Sequence, residues 1–428
     1  MVKPRKTLEK LEGYLKKERF VILLGSRQVG KTTLLKMLET SFNENSPQTK
    51  VYYFTMETTD DLRLLSEGVK GLEQRRILNK GEEICLLIDE FHYLHDPNRL
   101  FKEIYDSYPS VKIVASGSSS LEIQQKIKES LAGRKLTLHV YPLDFYEYLQ
   151  FIRSGEESFL NGIDLDGHRD YSKKIQAKIF QEDFYNFILF GGLPRVVLES
   201  DTEVKKLFLE EIYSTYIQKD IKGILKNIEI VPFNQLIELV ASQVGNLLNI
   251  AELSNTLRLP RHHVVRHLEV LKETFVNFLL RPYATNKRTE VVKTPKTFFY
   301  DNGVRNQILK QFGLLSLRAD AGALFENAIF MELKKNLPIS QDLYFWRTKN
   351  KTEVDFILRL NERLFPIEVK RGSEKNIPLD LRSFAQTHNV DKAFILNATE
   401  WSVRKEGEVT YFWIPHFLAG KISEWIQS

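Results

Sequence analysis

Lys31 and Thr32 close the run Gly25-Ser26-Arg27-Gln28-Val29-Gly30-Lys31-Thr32, whose two glycines, lysine and hydroxyl are spaced for polyphosphate chemistry. The glycines let the backbone curl so that successive N–H groups, from Ser26 to Thr33, face one anion at a helix N-terminus. Lys31 would then reach the β- and γ-phosphates, and the Thr32 hydroxyl would hold Mg2+. Asp89 and Glu90 offer what hydrolysis needs next. Asp89 can hold Mg2+ through water, while Glu90 can orient and deprotonate an attacking water. The expected chemistry is ATP hydrolysis with Mg2+.

Those residues work only if elements on either side position them. Phe20 to Leu24 is an aliphatic run suited to a buried strand, and Leu34, Leu35 and Leu38 give the apolar face of a following helix. Asp89 and Glu90 end a second apolar run, Ile84 to Ile88, at the strand end where open α/β sheets place ligands. Further short runs at Val51 to Phe54, Val111 to Ala115 and Leu136 to Val140 complete an expected five-stranded parallel sheet. The fourth strand runs into Ser116-Gly117-Ser118-Ser119-Ser120. Ser118 can sense a γ-phosphate there, cap a helix, or both. Arg134, just before the fifth strand, suits either a finger reaching a neighbouring subunit's nucleotide or a surface ion pair.

With 428 residues, 43% hydrophobic and 27% charged, the chain has room for two or three domains. A net charge of +5 and a pI near 8.9 permit a polyanionic partner without requiring one. A single cysteine, Cys85, excludes a disulfide framework, and no apolar run approaches a membrane span. A cytoplasmic protein is expected, without a membrane partner.

Taken together, the stretches GSRQVGKTTLL, LLIDEFHYL, ASGSSS, LAGRKLTLHVYPLDFYEYL and FGGLPRVVLE resemble the prokaryotic AAA-type ATPases that carry a C-terminal domain of unknown function. The resemblance spans nearly the whole chain. It implies an AAA-like core over residues 1–145 with the nucleotide at the sheet edge, and a helical lid over 146–230. It also implies that Pro194, in Gly192-Leu193-Pro194, packs on the adenine; read from the residues alone, the two glycines end one helix and Pro194 starts the next. Adenine is favoured over guanine by the same resemblance.

The segment 231–295 reads as a winged helix. Ile250 to Leu257 is a short amphipathic helix, Arg258-Leu259-Pro260 a tight turn, and Val264, Val265, Leu268 and Leu271 the buried stripe of a second helix. Phe275 to Leu280 reads as a strand leading to a hairpin tip over Arg281 to Arg288. Arg261, His262, Arg266 and His267 on the second helix, with Arg281, Lys287 and Arg288 on the wing, are expected to contact DNA.

The remainder, 296–428, holds a second set of acids. Tyr344 to Arg347 and Val354 to Leu358 read as a hairpin carrying Asp355; Pro366 to Lys370 reads as the next strand, with Glu368 and Lys370 on one face; Glu326 lies on a helix upstream. This arrangement resembles the core of the PD-(D/E)xK nucleases, an α/β restriction-endonuclease-like fold. The resemblance implies that Glu326, Asp355 and Glu368 hold Mg2+ and that Lys370 stabilises charge on a phosphodiester. Two functions fit: an ATP-driven homo-oligomer acting on DNA, or a nucleotide-dependent switch that binds protein partners through an inactive nuclease-like domain.

Overall fold

The computed structural model describes residues 3–117, 133–161, 163, 165, 171–221, 225, 230–338, 341–398 and 400–427. It divides into two compact units. The first comprises Met1–Tyr141 with Gln218–Ile224 and Glu273–Phe275; the second comprises Pro142–Ile217, Leu225–Lys272 and Val276–Ser428.

The first unit is built on β1 (Phe20–Leu24), β2 (Lys50–Thr55), β3 (Ile84–Asp89), β4 (Val111–Gly117) and β5 (Leu136–His139). They form one parallel sheet in the order β2-β3-β4-β1-β5, as the spacing of apolar runs leads one to expect. Every residue of β1 and β3 is buried, which explains why these strands read as continuous aliphatic runs rather than alternating ones. The helix Lys31–Asn45 starts at Gly30, whose φ of 97° lies in the left-handed region, and buries Leu34, Leu35 and Leu38. Leu24 stands opposite Gly117 on one side and His139 on the other, while Asp89 stands opposite Thr55. The loop after β1 and the ends of β3 and β4 therefore emerge along one sheet edge.

The second unit opens with helices, among them Phe145–Ile152, Tyr171–Phe190 and Thr202–Thr215. Two helices, Ile250–Leu257 and Arg261–Glu273, stand where the helix-turn-helix is expected. Local chemistry sets them up: the Asn249 side chain accepts from the N–H groups of Ala251 and Glu252, Arg258 turns the chain in the left-handed region, and the Ser254 hydroxyl donates to Leu259 O at 2.6 Å. The segment beyond Glu273 departs from a simple hairpin. Strands β6 (Asn277–Leu280) and β7 (Lys296–Phe299) pair antiparallel, but a helix, Lys287–Val292, interrupts their connection in place of the expected hairpin tip. The expected boundary after residue 295 also falls between paired strands, since Lys296 stands opposite Leu280.

The last sheet has the order β12-β13-β11-β10-β9-β8, with β8 (Gln341–Arg347), β9 (Glu353–Leu360), β10 (Arg363–Val369), β11 (Lys392–Asn397), β12 (Ser402–Glu406) and β13 (Val409–Pro415). Strands β8, β9 and β10 run antiparallel, whereas β10, β11 and β13 are mutually parallel. Val354, Ile357, Ile395 and Trp413 from this sheet meet Leu381 and Phe384 of the helix Leu379–Thr387 in one core. A largely buried helix, Ala321–Lys335, carries Glu326. No described helix is long and apolar enough to cross a membrane.

Candidate active site

In the first unit, the loop from Gly25 to Gly30 is held from beneath. A Cβ on Gly25 would lie 2.1 Å from Val140 O, so only glycine fits there. Arg5, 5% exposed, donates from Nη1 to Val29 O at 2.9 Å and from Nη2 to Tyr141 O at 3.0 Å. It clamps the loop with two charge-assisted bonds, a role hidden in what reads as a solvated basic N-terminus. The buried Lys31 ammonium donates to Gly25 O and Ser26 O, both at 3.0 Å, curling over the loop it will serve. These donors and the backbone curl suit a polyphosphate.

Asp89 gathers three hydroxyls. Thr32 Oγ1 donates to Asp89 Oδ2 at 2.6 Å, Tyr53 OH to the same oxygen at 3.1 Å, and Ser116 Oγ to Oδ1. Burial and the charge of Asp89 push the Tyr53 phenol up, so it stays a donor. The Thr32 and Asp89 oxygens together fit an Mg2+ ion, a hard cation that takes few protein ligands and keeps waters and phosphates for the rest. Glu90 follows in the left-handed region at φ 53°, its N–H donating to Ser116 Oγ at 3.2 Å and its carboxylate 3.1 Å from His92 Nδ1. Burial alone would raise the Glu90 carboxyl, but His92, Lys31 and Arg27 together hold it below the usual range. Glu90 is thus ionised, as a general base must be. Ser116 and Tyr53 escape a reading by motif because their roles are set by register across β2, β3 and β4, and His92 because a short 3-10 turn, Phe91–Tyr93, brings it back to Glu90.

In the second unit, Asp355, Glu368 and Glu326 gather with two further residues. Lys296, its side chain 3% exposed, places Nζ 2.5 Å from Glu353 Oε1 and 3.7 Å from Glu326 Oε2. Glu353 Oε2 takes a second cation, Arg347, at 2.8 Å. Asp355 Oδ2 accepts from Val369 N at 2.8 Å, and Glu368 Oε1 pairs with Lys370 at 2.8 Å. Burial, reinforced by the charge of Asp355, pushes Glu326 and Glu368 each up to about 8; the nearby carboxylates outweigh burial at Lys296 and keep it charged. Among the described residues, no group of three or more His, Cys, Asp or Glu is arranged to hold a metal ion. Glu326, Asp355 and Glu368, the residues expected to hold Mg2+, lie within electrostatic reach of one another, with the Lys296 ammonium beside Glu353 and Glu326.

Residues 17–149 match the family model described as an AAA domain. That match supports a P-loop ATPase domain over this segment. Residues 181–314 and 321–417 match two models described as domains of unknown function, DUF8612 and DUF4143. The chain is 26% identical to an uncharacterized protein of Methanocaldococcus jannaschii over 94% of this chain and 85% of that one. It is 23% identical to an uncharacterized protein of Haemophilus influenzae, over 86% of each. Among solved structures, a Walker-type ATPase of Pyrococcus abyssi is 17% identical with a TM-score of 0.45, over 72% of this chain and 96% of that chain.

Within the AAA domain, Arg134 Nε pairs with Asp106 at 3.2 Å, the surface ion pair foreseen as its other role. Ser118 lies outside the described residues. In the second unit, Pro194 occupies the first turn of the helix Pro194–Val197, and Gly192 N donates to Asp301 at 2.7 Å; the glycine turn thus has a structural use of its own. Arg261, His262, Arg266, Arg281 and Arg288 are at least partly exposed. His267 is corrected from a nucleic-acid contact to a core residue: it is 1% exposed and meets Phe233 edge-on at 5.6 Å, because it shares the buried face of Val264 and Leu268. Lys287 sits on a helix rather than a hairpin tip and pairs with Glu290 at 2.6 Å.

Proposed function

We propose that the chain hydrolyses ATP at the AAA domain and uses the turnover to act on DNA. The observation that carries this reading is the 2.6 Å bond from Thr32 Oγ1 to Asp89 Oδ2, with ionised Glu90 one residue beyond. Mg2+ held there would neutralise charge on the terminal phosphates. Lys31 leaves its two carbonyls to meet the phosphates, Glu90 orients a water and takes its proton, and Ser116 fixes both acids by bridging Asp89 Oδ1 and Glu90 N. Pro194 against the adenine and assembly into a homo-oligomer belong to the same reading. In such an oligomer Arg134 leaves Asp106 to reach a neighbour's nucleotide.

Support for DNA comes from Arg261, His262 and Arg266 at the surface of the second helix of the helix-turn-helix, with Arg281 and Arg288 after β6. Phosphate release is to be measured with single-stranded, duplex and branched DNA. Lys31→Ala and Glu90→Gln should each lower kcat by about a hundredfold or more, with Glu90→Gln still binding ATP. Wild-type turnover should rise with DNA. Turnover indifferent to every DNA form would overturn the DNA part and favour a switch acting on protein partners.

A further inference from the structure

The acid cluster of the second unit contains an internal cation that its motif does not announce. Lys296 belongs to β7, whose backbone is fixed on both sides: Lys296 stands opposite Leu280 in β6 and bridges to Leu247, while Thr297 exchanges backbone bonds with Gly245 and Asn246. At the other end of β7, the Asn327 side chain both donates to and accepts from the Phe299 backbone. Phe298, on the same strand face as Lys296, stacks on Phe330 of the helix that carries Glu326, with ring centroids 4.5 Å apart. The ammonium is therefore delivered to the carboxylates by a strand with little freedom to withdraw.

Its surroundings leave little for a second cation. Glu353 has one oxygen on Lys296 and the other on Arg347; Asp355 is tied to a backbone N–H; Glu368 is tied to Lys370. The cluster's buried oxygens without a hydrogen bond are Glu326 Oε2, 3.7 Å from Lys296, and Glu368 Oε2. A divalent ion bridging Glu326 and Asp355 would approach the ammonium closely in a desolvated site, where like charges repel strongly. Mg2+ also demands near-octahedral oxygen ligands at about 2.1 Å, and here both oxygens of Glu353, one of Asp355 and one of Glu368 are already held by lysine, arginine or backbone.

We propose that Lys296 permanently fills the position a divalent cation would take among Glu326, Glu353 and Asp355, so that this nuclease-like cluster is built closed to metal. The domain then holds its acids by an internal ion pair and contributes binding or support rather than phosphodiester cleavage. This proposal is independent of the ATPase reading. Removing the lysine should open the site.

The test is Mn2+ binding to the full chain, free of nucleotide and carrying Asp89→Asn throughout to silence the AAA domain, followed by the electron paramagnetic resonance of free Mn2+. Without further substitution the chain should bind no Mn2+ that depends on Asp355. Lys296→Met should gain about one Mn2+ per chain, at least tenfold tighter, and Asp355→Asn should abolish that gain. Mn2+ bound with Lys296 in place and lost on Asp355→Asn would overturn the proposal; so would a folded Lys296→Met variant that gains none. Should Lys296→Met fail to fold, the Asp355-dependence with Lys296 intact still decides the matter. DNA cleavage by the wild type that disappears in Glu368→Ala would also overturn it.

Discussion

His416 shows how one buried side chain fixes its own charge state. Its Nδ1 lies 3.3 Å from Gln181 Nε2 and its Nε2 lies 2.9 Å from Lys370 O, so the neutral tautomer that accepts at Nδ1 and donates at Nε2 satisfies both neighbours. Burial holds its pKa down to about 3 against the usual 6.5, the bond to Lys370 O opposing only weakly. The unfolded chain therefore binds a proton below pH 6.5 that the folded one refuses until near pH 3. Its contribution to stability is complete above 6.5 and is lost as pH falls toward 3. Between about pH 6 and 4, the unfolding midpoint in urea should fall more steeply for wild type than for His416→Gln. The difference should be about 1 kcal/mol per pH unit; parallel curves would refute it. The same scale explains Cys85, whose thiol burial pushes up to about 12, leaving it protonated and inert.

At the scale of elements, legibility followed locality. The strand, loop and helix around Lys31 could be read directly, because glycine positions, aliphatic runs and helical period all act within a few residues of the chemistry. Asp89 and Glu90 were legible for the same reason. Lys296 was not: it sits in a strand that reads as the start of a separate domain, and a lysine is ordinarily a solvated residue. The signal lay in the period of two, which puts Lys296 on the face of Phe298, a residue too apolar to face water. His267 misled for a related reason, since a histidine flanked by Arg266 looks exposed until the buried stripe of Val264, Leu268 and Leu271 claims its face. Gly245 tests the packing around the acid cluster. Its φ is +77°, and a Cβ there would come 3.2 Å from Glu326 Oε2. Gly245→Ala should thus cost roughly 1–2 kcal/mol of stability, read as an earlier urea midpoint. An unchanged midpoint would mean that the turn relaxes freely.

At the scale of the whole molecule, the net charge of +5 is modest, so any hold on DNA must come from where the cations stand rather than from their number. Arg261 and Arg266 stand at the surface of one helix, and each phosphate they neutralise should release counterions. Plotted as log affinity against log salt concentration, wild-type DNA binding should have a clear negative slope. Arg261→Ala with Arg266→Ala should flatten that slope by about 2, whatever the sequence of the DNA. An unchanged slope would move the contact elsewhere on the chain. Strand β7 also bears on how this molecule can be handled. Because it gives its backbone to the ladder with β6 and its Lys296 side chain to the acids beyond, a fragment begun after residue 299 would enclose Glu326, Glu353 and Asp355 without their ammonium. Such a truncation should yield insoluble or metal-scavenging protein, and because a cut after residue 295 would still part β7 from β6, scissors belong upstream of β6.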